Sequence, residues 1–156
     1  MENKQKKLST LLPTIETMIT EGSDAGKVLQ GVCDFLHANV PGYDWVGFYL
    51  VDPQNERELI LGPYAGEPTE HVRIPFGRGI CGQAAEKEEP IIVDDVSAET
   101  NYLSCNINVR SEIVLPIFRN GIIAGELDLD SHRPSHFDDY DREFLATICD
   151  RLSMIV

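Results

Sequence analysis

Apolar positions along the chain change their period several times, and each change marks an element. Residues about 5–21 carry apolar side chains at helical spacing and predict a helix with an irregularity at Pro13. Ser23 and Asp24 form an N-cap region. Val28, Val32, Phe35 and Leu36 then make an amphipathic stripe, which Pro41-Gly42 ends. Trp45 to Val51 is rich in aromatic and branched residues and reads as a strand. Pro53, Gln54 and Asn55 turn the chain into a return strand from Glu58 to Leu61. His71 to Pro75 and Ile91 to Val93 are short strands, separated by a tight Gly77-Arg78-Gly79 turn and a short helix from about Ile80 to Glu86. A polar loop runs from about Asp94 to Arg110. Ser111 to Phe118 and Ile122 to Leu129 form a β-hairpin, and Phe137, Tyr140, Phe144, Ile148 and Leu152 repeat at helical spacing.

Strands separated mostly by turns predict a largely antiparallel sheet. The order gives an α+β domain over residues 1–156 with a central sheet of about six strands. Helices over about 5–39 and about 137–156 pack on one face of the sheet, which lies within about 44–130.

Charge narrows the function. Of 156 residues, 26 are acidic and 13 basic, a formal net charge of −13. A nucleic-acid binder needs a basic face, and an anionic membrane repels such a chain, so neither is an expected partner. No stretch approaches the roughly 18 apolar residues of a membrane span. The N-terminus begins basic and turns apolar, but Pro13 and Glu16 interrupt it and no small-residue cleavage site follows, so a signal peptide is not expected. A cytoplasmic location follows as the expectation. The four cysteines, Cys33, Cys81, Cys105 and Cys149, show neither CxxC pairing nor a His at zinc spacing, so no metal site is predicted from spacing.

Candidate chemistry lies in the hairpin and two thiols. Glu126, Asp128 and Asp130 alternate with apolar residues, so their strand has a carboxylate face and an apolar face. A two-residue Asn-Gly turn would put Glu112 opposite the aspartates' face. A three-residue Arg119-Asn120-Gly121 loop would set Glu112 directly across from Asp128, and Gly121 in last place favours it. Close carboxylates are either a solvated sheet face or a pocket that holds a cation or keeps one carboxyl protonated. A metal is the weaker option, because no His joins them. Cys33 and Cys149 sit at core positions of amphipathic helices. Cys81 opens a short helix, whose N-terminus lowers a thiol pKa. Cys105 lies in a polar loop shortly before Glu112, where functional residues concentrate. His71 reads as an exposed strand-end residue, and His132 and His136 as solvated loop residues.

The segments WVGFYL, LILGPYAG, VRIPFGRGICGQAA, DDV, SCNINVRSEIVLPI and AGELDLDS, followed by the terminal helix, resemble a GAF domain. More narrowly, they resemble the free methionine-(R)-sulfoxide reductases, which are stand-alone GAF proteins. The resemblance implies reduction of free L-methionine (R)-S-oxide, with no cofactor and with thioredoxin as reductant. It also implies a loop-covered ligand pocket on the sheet face opposite the terminal helices, within about 44–130, and a homodimer formed through those helices. The family's catalytic thiol corresponds to Cys105 and a second family cysteine to Cys81. Its carboxylates correspond to Glu112, Asp128 and Asp130, and its aromatic pocket residues to Trp45 and Tyr49. Two departures stand out. His71 occupies the place of a further family cysteine just before VRIP, and the loop reads NYLSC where relatives often read GHIAC.

On this reading, Cys105 attacks the sulfoxide sulfur while a neutral Glu112 or Asp128 protonates the oxygen. Asp130 and the remaining carboxylate charge pair with the substrate ammonium, and Trp45 and Tyr49 wall its methyl end. Cys105 becomes a sulfenic acid, and Cys81 can close a disulfide with it. The alternative is a non-enzymatic GAF module that senses redox state or another small amine-bearing ligand.

Overall fold

The structure, a computed structural model, describes residues 3–103 and 107–156. Helix α1 spans Lys4–Glu21 and is capped by Asn3, whose side chain accepts from the Lys6 amide at 2.8 Å. It runs uninterrupted through Pro13. A proline there removes one backbone donor, and burial of Leu8 and Ile15 keeps the helix seated. Helix α2, Ala25–Asn39, starts at Asp24, which accepts from the Lys27 amide at 3.1 Å. Strands β1 (Trp45–Asp52) and β2 (Asn55–Ala65) follow, the second much longer than its apolar core predicts, then β3 (Arg73–Pro75). Helix α3 (Gly79–Lys87), β4 (Ile91–Val93), β5 (Ser111–Arg119), β6 (Ile122–Ser131) and α4 (Asp139–Leu152) complete the fold. No described helix is long and apolar enough to cross a membrane.

The six strands form one antiparallel sheet in the order β3-β2-β1-β6-β5-β4. Its two faces differ in chemistry because side chains alternate along each strand. Val46, Phe48, Ile113, Leu115, Leu127 and Leu129 point to the core shared with α1, α2 and α4. Each such burial is worth about 1.5–3 kcal/mol. On the other face, Trp45, Tyr49 and Val114 meet Ile80, Cys81, Ala84 and Ala85 of α3.

The hairpin corrects the expected register. Arg119 pairs with Ile122, and Asn120 and Gly121 have φ of 54° and 79°, so the turn has two residues rather than three. Positive φ at both positions matches the twist of the flanking strands. Continued without change, this pairing would turn Glu112 into the apolar core. A bulge intervenes: Phe118 pairs with Ile123 but Ile117 with Gly125, leaving Ala124 as the extra residue. One added residue flips the parity of everything beyond it. Glu112 therefore returns to the carboxylate face, directly opposite Asp130 rather than Asp128.

Candidate active site

The central strands bring four carboxyls under α3. Glu126, Asp128 and Asp130 project from β6 and Glu112 from β5, and all four are buried. Across β1, Trp45 pairs with Asp130, Gly47 with Asp128 and Tyr49 with Glu126. Gly47 has to be small, since a Cβ there would come within 2.3 Å of the Trp45 ring. Trp45 stacks on Tyr64 with ring centroids 5.5 Å apart and donates from Nε1 to the Glu67 carbonyl at 2.9 Å. The Tyr49 hydroxyl donates to the His71 carbonyl at 2.9 Å, tying the strand to the chain before β3.

Between sheet and helix lies a cavity of about 10 Å³, walled by Tyr49, His71, Cys81, Leu103, Glu112 and Asp128 among others. Four of the residues singled out from the sequence thus converge: Tyr49, Cys81, Glu112 and Asp128. Trp45 and Asp130 lie beside it, buried, without lining it. His71 is half-buried against the cavity, not an exposed strand end, and β3 starts two residues after it. His136 is half-buried edge-on against Tyr43 and Phe137, and burial lowers its pKa. Cys105 falls outside the described residues.

Burial dominates the electrostatics. It pushes the Glu126 carboxyl well above the ordinary carboxylate range, with the Asp128 charge adding to the rise. Asp128 is raised by the same cause, offset by hydrogen bonds from the Glu112 carboxyl and the Cys81 thiol. Cys81 departs from its expected direction. Its place in the first turn of α3 favours a thiolate, but burial and the charges of Asp128, Glu126 and Glu112 push its thiol well up. Cys81 is therefore a protonated donor to carboxylates. Cys33 and Cys149 are buried thiols raised mainly by desolvation, as core positions require.

Two contributors escaped the sequence reading. Glu126 was visible only as one of three alternating acids, yet it is wholly buried and acts on Cys81. Asn101 buckles the loop to the start of α3. Its side chain accepts from the Gly79 amide and donates to the Gly77 carbonyl, each at 2.8 Å. Its carbonyl accepts from Gln83 Nε2 at 3.0 Å. Asn in a Gly-rich neighbourhood carries no linear signal for such a bridge.

A sequence model of the GAF domain matches residues 24–156. The chain is 35% identical over 157 residues to the free methionine-R-sulfoxide reductase of Saccharomyces cerevisiae, covering 94% of this chain and 83% of the relative. The chain belongs to the free methionine-R-sulfoxide reductase family of GAF proteins. The chain is also 39% identical over 146 residues to GAF domain-containing protein A of Dictyostelium discoideum, covering 94% of this chain and 90% of the relative. Among solved structures, the free methionine-R-sulfoxide reductase of Neisseria meningitidis in complex with its substrate superposes with a TM-score of 0.93. It is 36% identical and covers 99% of this chain and 91% of that one. The expected GAF fold, with its six-stranded antiparallel sheet, is the fold observed.

Proposed function

We propose that this reductase-family protein reduces free L-methionine (R)-S-oxide to methionine with Cys105 as nucleophile. The observation that carries the reading is the near-complete superposition on a family member in complex with its substrate, combined with the buried acid-and-thiol cavity. The role of Cys105 rests on the resemblance of the SCNINVRSEI segment to the family's catalytic segment.

The chemistry divides into balanced steps. The Cys105 thiolate attacks the sulfoxide sulfur as a neutral carboxyl, Glu112 or Asp128, protonates the oxygen. Oxygen passes to Cys105, which becomes a sulfenic acid, and the substrate sulfur gains two electrons as a thioether. The Cys81 thiol then attacks the sulfenic sulfur, a disulfide forms and water leaves. A dithiol of the thioredoxin kind reduces the disulfide by exchange. A high Cys81 pKa slows its attack unless a carboxylate takes the proton, and Asp128, which accepts from the Cys81 thiol, is placed to take it. Tyr49 offers an aromatic wall to the methyl end, and Asp130 and Trp45 back the carboxylate and aromatic walls from behind. A cavity of about 10 Å³ holds little more than a water, so substrate entry has to widen it. The family resemblance also supports a homodimer and a cytoplasmic, reducing setting.

The deciding experiment is a single turnover. Reduced protein is mixed with free methionine-(R)-sulfoxide without reductant, and methionine formed and thiols lost are counted per chain. One methionine with two thiols lost is expected, and Cys105→Ser should form none. One methionine with a single thiol lost would remove Cys81 as the resolving group. No methionine, with every thiol intact, would overturn the reading and leave a ligand-sensing GAF module.

A further inference from the structure

Cys81, Glu112 and Asp128 come from α3, β5 and β6, and one donor atom of each lies within 4.8 Å of the others. The three side chains are buried. Linear spacing could not show this set, because its members are far apart in sequence and the sulfur comes from a helix rather than the hairpin. Asp128 Oδ1 is shut off from solvent with no hydrogen-bond partner, and neither Glu126 oxygen beside it has one of good geometry. Buried carboxyl oxygens left this way are costly to the fold. No Lys or Arg lines the cavity among the described residues, so nothing of the protein's own supplies a fixed positive charge there. The space is about 10 Å³, the room of one water-sized body.

We propose that this cavity binds one thiophilic divalent cation of the zinc class, held by the Cys81 sulfur and by carboxylate oxygens of Glu112 and Asp128. Zinc takes sulfur at about 2.3 Å and carboxylate oxygen at about 2.0–2.2 Å in a tetrahedron, which puts neighbouring ligand atoms about 3.5 Å apart. The donor atoms, within 4.8 Å of one another, would draw together on the ion to reach that spacing. One thiolate with two carboxylates suits a borderline cation. Magnesium and calcium require more oxygen ligands than this site offers. Three protein ligands leave a fourth position open, for water or for an entering anionic group. The ion fills the cavity that the proposed reaction needs, so zinc inhibits by competing with the sulfoxide. The site itself stands without the catalytic reading, and only the inhibition rests on it.

The test is a Co²⁺ titration of the reduced, chelator-treated full-length protein, read by sulfur-to-cobalt charge-transfer absorption. One Co²⁺ per chain with a thiolate band that Zn²⁺ abolishes is expected. The band should vanish in Cys81→Ser and persist in Cys105→Ser. Asp128→Asn and Glu112→Gln should each weaken binding by at least about tenfold, which keeps the test decisive if Cys81→Ser fails to fold. No band in the wild type, a band lost in Cys105→Ser but kept in Cys81→Ser, or affinity unchanged in both carboxylate variants would each overturn the site. A protein that binds Co²⁺ through Cys81 yet reduces no sulfoxide when free of metal would overturn the catalytic reading alone.

Discussion

Replacing Glu126 with Gln tests whether the pocket face stores a proton. Glu126 is 0% exposed, its oxygens lack partners of good geometry, and Asp128 projects from the same face two residues on. Burial first and the Asp128 charge second raise its carboxyl well above the ordinary range. The folded chain therefore binds this proton more tightly than the unfolded chain does. The resulting stabilisation is complete below the unfolded value of about 4.3 and is lost as pH climbs through the folded-state pKa. The loss runs at about 1.4 kcal/mol per pH unit within that window. Gln has nearly the same shape and stays neutral throughout. The unfolding free energy of Glu126→Gln minus that of the wild type should thus rise as pH climbs from about 5, with a slope of up to about 1.4 kcal/mol per pH unit. Urea unfolding followed by the fluorescence of Trp45, the sole tryptophan, measures the difference. A difference that stays flat across this range would show that Glu126 titrates alike in both states, and the proton-storing face would be refuted.

Three further outcomes follow from other contacts. Asp141 is fully buried and accepts from the Tyr43 hydroxyl at 2.6 Å, Lys4 Nζ at 2.7 Å and the Asp138 amide at 2.9 Å. Asp141→Ala should lose about 3–5 kcal/mol in denaturant unfolding by stranding these donors, and a loss under about 1 kcal/mol would mean that water replaces the carboxylate freely. Asn120→Val at φ 54° should cost about 1–2 kcal/mol while Asn120→Gly stays close to wild type, and equal stability of the two would contradict the two-residue turn. Asn101→Ala releases the loop from Gly77 and Gly79 and should cut sulfoxide turnover about tenfold with little change in melting temperature. An unaltered rate would remove Asn101 from the positioning of the loop.

Period alone made the sheet, the terminal helices and the carboxylate strand legible, because burial on one face writes itself into alternate positions. Other features depend on contacts that the linear order does not carry. The turn at Asn120-Gly121 and the bulge at Ala124 each flip the side-chain parity of β5 against β6, and together they restore the face that a wrong turn had also predicted. Glu112 reached its face by two offsetting steps, and neither step alone decides it. For Cys81 the local rule, a thiol at a helix start, pointed to a low pKa. The fold presses that helix onto three carboxyls and reverses the direction. His71 read as a strand end because its neighbours alternate, whereas the Tyr49 hydroxyl holds its backbone against the cavity.

The cavity's charge balance links binding to chemistry on the proposed reaction. Asp128 accepts from Glu112 and Cys81 at once, so the cluster carries protons where a paired cation would otherwise sit. A cationic ligand reverses that preference, because an ammonium within a few ångströms favours the ionised carboxylate. Entry of the substrate ammonium then ionises one carboxyl and frees a proton beside the sulfoxide oxygen, which needs one as it leaves sulfur. Ligand recognition and acid supply become the same electrostatic event. The thioether product keeps its ammonium but has no sulfoxide oxygen to accept the proton. Methionine should accordingly bind with proton release to solvent, detectable as a buffer-dependent heat in calorimetry, and a heat identical in buffers of differing ionisation enthalpy would break this link.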